Sequence, residues 1–111
     1  VTANAKAFVS SATGYYSLAK LAPNGLTQGL ARELGPEKIR VNAIAPGPTD
    51  TGALHSVVPD AYIDPMVAGL PLARIGKPED HVGALLFLLS DAAAWITGQI
   101  VNVDGGQAMR P

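Results

Sequence analysis

Residues 39–51, IRVNAIAPGPTDT, decide the fold of this chain. The run over residues 39–45 is short, rich in β-branched residues and limited by a proline on each side, so it predicts a β-strand. Ala43, Ile44 and Ala45 follow one another at its end, which indicates that both faces of the strand are covered. A strand covered on both faces is typical of a parallel sheet, and hence of an α/β protein.

A long helix precedes this strand. Leucines at positions 18, 21, 26, 30 and 34, most of them three or four residues apart, predict it over residues 14–34. We expect a kink at Pro23, because proline lacks the N–H group that an internal helical position uses. We expect Gly35 to end the helix in the left-handed conformation. Gly25 and Gly29 share one face, either as weak helix formers or as a flat strip for a helix of a second subunit.

A lid, a second helix and a second strand follow. Residues 52–75 have weak periodicity and several prolines, and we interpret them as a lid with one or two short helices. We expect a helix from Pro78 to residue 89, and a strand over residues 99–103 that ends at Asp104. This order predicts the second part of an α/β chain with parallel strands. Because two strands make a small sheet, we expect further strands upstream, in a longer polypeptide.

Composition favours soluble small-molecule chemistry. The chain has 111 residues, of which 48% are hydrophobic, enough for one domain with an ordinary core. Charged residues make up 15%, the net charge is −1 and no block of like charges occurs, so we expect neither a nucleic acid nor a membrane as partner. The absence of cysteine excludes disulfides and thiol catalysis. No segment resembles a secretion signal, and we expect a cytoplasmic protein.

Tyr16 and Lys20 are the candidate catalytic pair. Residues four apart on a helix project to the same side, so the Lys20 ammonium can lie near the Tyr16 phenol. A free phenol has a pKa of about 10. A cation about 4 Å away stabilises the phenolate, and the phenol then becomes a usable general acid or base. The spacing alone is weak evidence, because it is also what an exposed lysine beside an interfacial tyrosine would show.

A second motif supports the catalytic interpretation, namely the turn PGPTDT at residues 46–51. It follows the predicted strand directly, at the carboxyl end where open α/β sheets bind ligands. Gly47 lets a flat ligand approach the backbone, and Thr49 and Thr51 offer hydroxyl and amide groups. Taken alone, the motif is also compatible with a simple proline-rich turn.

The chain resembles the C-terminal half of the short-chain dehydrogenase/reductases in four blocks, namely YYSLAK at 15–20, LARELGPEKIRVNAIAPGPTDT at 30–51, GKPEDHVGALLFLLSD at 76–91 and ITGQIVNVDGG at 96–106. Their order and spacing all match. The resemblance implies a Rossmann-like, doubly wound parallel sheet in a single domain. Residues 1–111 are then the C-terminal part of that domain, without its N-terminal cofactor-binding half. The implied cofactor is NAD or NADP.

The resemblance also implies the chemistry. Hydride passes between the nicotinamide and the carbon of a small-molecule alcohol or ketone, while Tyr16 exchanges the proton on the substrate oxygen. Lys20 hydrogen-bonds the nicotinamide ribose and assists Tyr16, so that both residues also contact the cofactor. Apolar residues in the lid favour a substrate with hydrocarbon character. Family members are usually homo-oligomers, tetramers or dimers, which would explain Gly25 and Gly29.

The remaining cofactor contacts implied by the resemblance belong to the turn. Pro46 and Gly47 flank the nicotinamide, Thr49 binds its carboxamide through backbone atoms, and Thr51 approaches the carboxamide or the pyrophosphate. Two features of the family pattern are missing from the sequence. The glycine-rich phosphate-binding turn is absent, and Ala3 stands about where the family has a serine before its tyrosine.

Two hypotheses from different classes therefore remain. The chain is either the catalytic half of an oxidoreductase or a non-catalytic, truncated fragment that only associates with partner chains. A glycine-rich strand–turn–helix upstream would favour the first. His55 and His81 lack the spacing of metal ligands, so we predict no metal site, and we expect His81 to be exposed.

Overall fold

The computed structural model describes residues 14–109, and their side chains from residue 18 onward. Its elements follow the predicted order of helix, strand, lid, helix and strand. The α-helices are α1 (Gly14–Leu34), α2 (Gly52–Val57), α3 (Ile63–Ala68) and α4 (Val82–Leu89), and the strands are β1 (Ala43–Pro46) and β2 (Ile100–Val103). Short 3₁₀ helices occur at Gly35–Glu37, Asp60–Tyr62, Pro78–His81 and Asp91–Ala93.

The two strands form a parallel pair, which confirms the predicted direction. Their register places Ala43 opposite Ile100 and Pro46 opposite Val103. The first three residues of β1 are buried, as their apolar run predicts. Because the carboxyl ends of parallel strands meet at one edge of a sheet, the turn after β1 and Asp104 after β2 come together there.

The predicted start of the first strand is wrong. The strand begins at Ala43 rather than at residue 39. Opposite Val41 the chain turns at Gly98, which has a φ of 70°. The Val41 N–H therefore donates to the Thr97 hydroxyl at 3.0 Å, and the Val41 carbonyl accepts from the Gly98 N–H at 2.7 Å. Because a turn and a side chain supply these partners, a regular ladder forms only further along.

Helix α1 has its predicted bounds, but it ends differently. Gly35 does not take the left-handed conformation; Lys38 does, with a φ of 62°. Pro36 needs no N–H partner in the first turn of a 3₁₀ helix, so the chain completes one more turn before it reverses. The Lys38 N–H then donates to Gly35 O at 2.9 Å and the Ile39 N–H to Leu34 O at 3.2 Å, the bond pair of a Schellman motif.

One face of α1 is packed and another is open. Thr27 and Ala31 are buried against the rest of the chain. A Cβ atom at Gly25 or Gly29 would meet no atom within 4 Å, so nothing in the described part of the chain covers the predicted strip. The helix runs through Pro23, and the predicted kink there stays a prediction.

Within residues 14–109 no helix is both long and apolar enough to cross a membrane.

The segment at residues 52–75 and the second helix have the predicted secondary structure. Residues 52–75 contain α2, a 3₁₀ turn and α3, which confirms the expectation of short helices, while their function as a lid stays a prediction. The second helix begins at Pro78 with a 3₁₀ turn and continues as α4 to Leu89. The Arg40 guanidinium donates to Leu88 O at 2.7 Å and to Ser90 O at 3.2 Å. These bonds hold the end of α4 to the segment before β1, because the last carbonyls of a helix lack partners inside it.

Candidate functional site

The 46–51 turn lies at the carboxyl end of β1 and is held against β2. The Gly47 N–H donates to Val103 O at 3.1 Å, which extends the strand pairing by one residue. A Cβ atom at Gly47 would lie 2.6 Å from Asp104 Cα and 2.8 Å from Asp104 O. These are backbone atoms, which cannot swing aside as the end of a flexible side chain can. Glycine is thus required here by a contact within the chain, and its predicted place beside a flat ligand stays a prediction.

The backbone of Thr49 is fixed by an isolated parallel bridge to Gly76. Pro48 O accepts from the Gly76 N–H at 2.9 Å, and the Asp50 N–H donates to Gly76 O at 2.8 Å. In such a bridge the residues before and after Thr49 face Gly76, so the N–H and C=O groups of Thr49 itself point to the opposite side. The Thr49 N–H has no hydrogen-bond partner among the described residues. A free N–H beside a C=O group matches the acceptor and donor of a primary carboxamide.

The side chain of Thr49 connects the turn to the helix that begins at Pro78. Its Oγ1 donates to Gly47 O at 2.9 Å and lies 2.9 Å from His81 Nε2. The expectation that His81 is exposed is wrong, since the residue is half-buried and its Nδ1 is buried. The 3₁₀ turn at the start of the helix points the imidazole inward, toward the 46–51 turn.

Thr51 ends the turn and begins α2. It is the N-cap of that helix, and its hydroxyl accepts from the Leu54 N–H at 3.4 Å while its carbonyl accepts from the same group at 3.0 Å. The Thr51 hydroxyl also lies 3.4 Å from Thr49 O, to which it donates. The structure therefore gives Thr51 a capping function, and its contact with a cofactor stays a prediction.

An ion pair holds the segment that carries His81. The Arg74 guanidinium binds both carboxylate oxygens of Asp80, at 2.6 and 2.8 Å, and the Lys77 N–H donates to Asp80 Oδ2 at 2.7 Å. The guanidinium, and after it the Lys77 N–H, hold the pKa of the Asp80 carboxyl well below its usual range. The bidentate pair fixes the 3₁₀ turn and thereby the position of the adjacent imidazole.

His55 of α2 belongs to a second, more open cluster. Its Nε2 lies 2.8 Å from Asp50 Oδ1, and its Nδ1 lies 3.4 Å from Asp60 Oδ1. The hydrogen bond with Asp50, and after it the one with Asp60, raise the pKa of His55. Within the described part of the chain, no cluster of histidine and acidic side chains is arranged to hold a metal ion.

A cavity of about 180 Å³ lies beside the 46–51 turn, which we call the anchored turn because backbone bonds to Val103 and Gly76 hold it. It is mostly apolar, and residues 52–75 contribute two leucines to its wall. The volume is below the ~300–1,000 Å³ of ordinary small-molecule sites, so the cavity alone cannot enclose a dinucleotide. Its lining residues include Pro48, Leu70, Leu72, His81, Val103 and Asp104.

The predicted catalytic pair lies on α1. Tyr16 and Lys20 are one turn apart in this helix, and Lys20 is half-buried. The side chain of Tyr16 lies outside the described residues, so its contact with Lys20 stays a prediction. The structure joins Pro46, Gly47 and Thr49 in one anchored turn, with Thr51 at its end.

The sequence reasoning missed the contacts made by Arg74, Asp80 and His81. Asp80 stands three residues after Lys77, the N-cap of the 3₁₀ turn, and an acidic residue at that position is a known helix-start pattern. That local signal predicts the bond from the Lys77 N–H. No local signal exists for the contact between His81 and Thr49, because 32 residues separate them.

Comparisons with known proteins connect this geometry to redox enzymes. Residues 1–108 match the protein family described as enoyl-(acyl carrier protein) reductase. The chain is 62% identical over 98 residues to an uncharacterised oxidoreductase of Mycobacterium tuberculosis, an alignment that covers 88% of this chain and 40% of the relative.

The solved structures that are similar in fold include the following two. A 7α-hydroxysteroid dehydrogenase, complexed with NADH and 7-oxo glycochenodeoxycholic acid, superposes with a TM-score of 0.91 at 38% identity, over 99% of this chain and 44% of the other. A blue fluorescent protein from a metagenomic library, in complex with NADPH, gives a TM-score of 0.76 at 36% identity, over 85% of this chain and 37% of the other. The chain spans about two fifths of the length of these proteins.

Proposed function

The chain belongs to the short-chain dehydrogenase/reductase family, and on that premise we propose that it is the C-terminal, catalytic part of an NAD(P)-dependent oxidoreductase. The structural neighbours confirm the α/β class and a partial Rossmann-like fold. One of these neighbours binds NADH and another NADPH, which supports either NAD or NADP as the cofactor here. The N-terminal half of the domain would supply the phosphate-binding turn.

The orientation of the Thr49 backbone is the observation that carries the proposal. Its N–H and C=O groups face away from Gly76, at the carboxyl end of two parallel strands, where α/β sheets bind ligands. These two groups would hold the carboxamide of the nicotinamide, with Pro46 and Gly47 beside the ring and Thr51 near the carboxamide or pyrophosphate. The bound nicotinamide would supply or accept the hydride.

Tyr16 and Lys20 would handle the proton. In the direction of reduction, the Tyr16 hydroxyl donates its proton to the substrate oxygen as the carbonyl carbon receives a hydride, and the ketone becomes an alcohol. In the direction of oxidation, the Tyr16 phenolate takes that proton back. Lys20 would stabilise the phenolate and hydrogen-bond the ribose. One turn of α1 separates the two residues, a spacing that supports proton transfer by Tyr16 with Lys20 as the nearby cation.

The substrate would be a small alcohol or ketone with hydrocarbon character. Leu70 and Leu72 of the lid line an apolar cavity beside the anchored turn, which supports this class. The solved relative that binds a steroid ketone is consistent with it. We also propose a homo-oligomer, either a dimer or a tetramer, whose interface would cover the open glycine strip of α1. A cytoplasmic location stays a prediction.

The test is the substitution Tyr16→Phe in the protein that carries this chain, assayed with NADH and NADPH against a panel of aliphatic and steroid ketones. We expect turnover to fall by a factor of ~10² or more, because phenylalanine cannot transfer the proton. Tyr15→Phe is the matched control, since that tyrosine precedes Ala19 rather than Lys20 by four residues, and it should retain turnover.

Two outcomes would contradict the proposal. Full turnover in Tyr16→Phe would remove Tyr16 from the mechanism. If the unchanged protein neither binds NADH or NADPH nor reduces any ketone of the panel, the result would favour the alternative function, a non-catalytic fragment that acts only as an association module.

A further inference from the structure

The contact between His81 and Thr49 has a defined direction. Thr49 Oγ1 lies 2.9 Å from Gly47 O and 2.9 Å from His81 Nε2. A hydroxyl has one hydrogen, and a carbonyl oxygen can only accept, so the Thr49 hydrogen goes to Gly47 O. The hydrogen bond with His81 must then be donated by Nε2–H. Both bonds form together only if His81 carries a proton on Nε2.

The other ring nitrogen supports the same assignment. His81 Nδ1 is buried and has no hydrogen-bond partner among the described residues. A proton on Nδ1 alone would leave a buried donor unsatisfied and would set the Nε2 lone pair against a hydroxyl whose hydrogen is already used. The Nε2–H tautomer avoids both. Burial and the contact with Thr49 therefore select one tautomer.

We propose that His81 is a positioning residue for the nicotinamide cofactor, which it serves by holding the Thr49 hydroxyl. This inference rests on the function proposed above, in which Thr49 binds the carboxamide through its backbone. Two restraints fix that backbone: the bridge to Gly76 holds it from one side, and the bond from His81 Nε2–H holds its side chain. Without the second restraint, the bridge alone holds the Thr49 backbone, and we expect its N–H and C=O groups to be less narrowly oriented toward the ligand.

The donor itself is held rigidly. His81 ends the 3₁₀ turn at Pro78–His81, in which Asp80 binds both Arg74 and the Lys77 N–H. A donor on a fixed turn restricts the acceptor more than one on a flexible side chain, because little conformational entropy remains to be lost. The ion pair thus acts on the turn after β1 through His81.

The test compares two substitutions of His81 in the protein that carries this chain. His81→Leu removes the donor and replaces the imidazole with an apolar side chain. We expect it to raise the dissociation constant of NADH or NADPH about three- to tenfold, the usual effect of losing one hydrogen bond. His81→Gln places an amide N–H near the original Nε2 and should restore the affinity to within about twofold of the unchanged protein. A residue that only supported the fold would not show this rescue.

A double substitution tests the route through Thr49. Thr49→Val removes the acceptor but keeps the β-branched shape. If His81 acts through this hydroxyl, Thr49→Val combined with His81→Leu should bind the cofactor no more weakly than the weaker single variant. Multiplied losses would overturn the inference, since they would mean that the two residues act independently.

The tautomer gives a readout that does not depend on any variant folding. Nitrogen-15 chemical shifts of the His81 ring in the unchanged protein should show the proton on Nε2. A proton on Nδ1 alone overturns the inference, and so does wild-type affinity in a folded His81→Leu protein. Lack of cofactor binding by the unchanged protein overturns the proposed function and this inference with it. If the unchanged protein binds the cofactor and His81→Leu binds it with equal affinity, this inference alone is overturned and the proposed function stands.

Discussion

Two regions of the molecule use a histidine in opposite ways. In the anchored region, made of the 46–51 turn and residues 74–81, His81 is half-buried and contacts a hydroxyl. In the open cluster around α2, His55 is exposed and contacts the carboxylates of Asp50 and Asp60. The same residue type is a directed hydrogen-bond donor in one region and a partner of charges in the other.

The difference follows from burial. Backbone bonds such as those between Gly76 and its neighbours on the turn keep their geometry because their atoms have few alternatives. Around His55, water and salt compete with the carboxylates, so those contacts are weak and depend on pH. We therefore expect substitutions in the anchored region to change stability more than substitutions in the open cluster.

The largest effect is expected from Gly47→Ala. The new Cβ would lie 2.6 Å from the backbone of Asp104, so the turn or the end of β2 must move, at a cost of about 1–3 kcal/mol in the free energy of unfolding. Gly52→Ala in α2 is the matched control, since a Cβ there meets nothing within 4 Å. Denaturant unfolding of both variants provides the measurement. Equal stability of the two would remove the distinction between the regions.

A smaller effect, with a defined pH dependence, is expected from Asp80→Asn. The folded protein lowers the pKa of Asp80 below its ordinary value of 3.8, so the stabilisation is present above that pH and is lost as the pH falls below it. The variant should melt at a lower temperature at pH 7, and the difference should shrink toward pH 3. Glu79→Gln is the control, because Glu79 has no ion pair within the described residues. A difference that widened in acid would refute the assignment.

The smallest effect is expected from the open cluster, in His55→Gln. Because folding raises the pKa of His55 above 6.5, its stabilisation is fully present below that pH and disappears as the pH rises through the folded value. Melting temperatures of variant and unchanged protein should therefore differ at pH 5.5 and converge by pH 8.5. Asp50→Asn should remove more of this pH dependence than Asp60→Asn, since Asp50 is the closer partner. A larger gap at high pH would contradict the assignment.

Local patterns predicted most of the fold. The leucine periodicity gave the bounds of α1, and the apolar run at Ala43 predicted a buried strand in a parallel sheet. Two predicted boundaries were wrong, each for its own reason. The chain reverses at Lys38 rather than Gly35, and β1 starts late because its partner segment turns at Gly98. The first boundary depends on the extra 3₁₀ turn that Pro36 allows, and the second on hydrogen bonds with a segment more than fifty residues away.

The features of the candidate site also fall into two groups, those that the local sequence predicts and those that depend on tertiary contacts. The turn at residues 46–51 and the spacing of Tyr16 and Lys20 are local features, and the amino-acid sequence alone determined them, since a strand end and a helical turn involve only neighbouring residues. Only the tertiary structure decided that His81 contacts Thr49 and that Asp104 leaves no room for a side chain at Gly47. Such contacts join residues far apart in the chain, because the packing of strands and helices determines which of them meet.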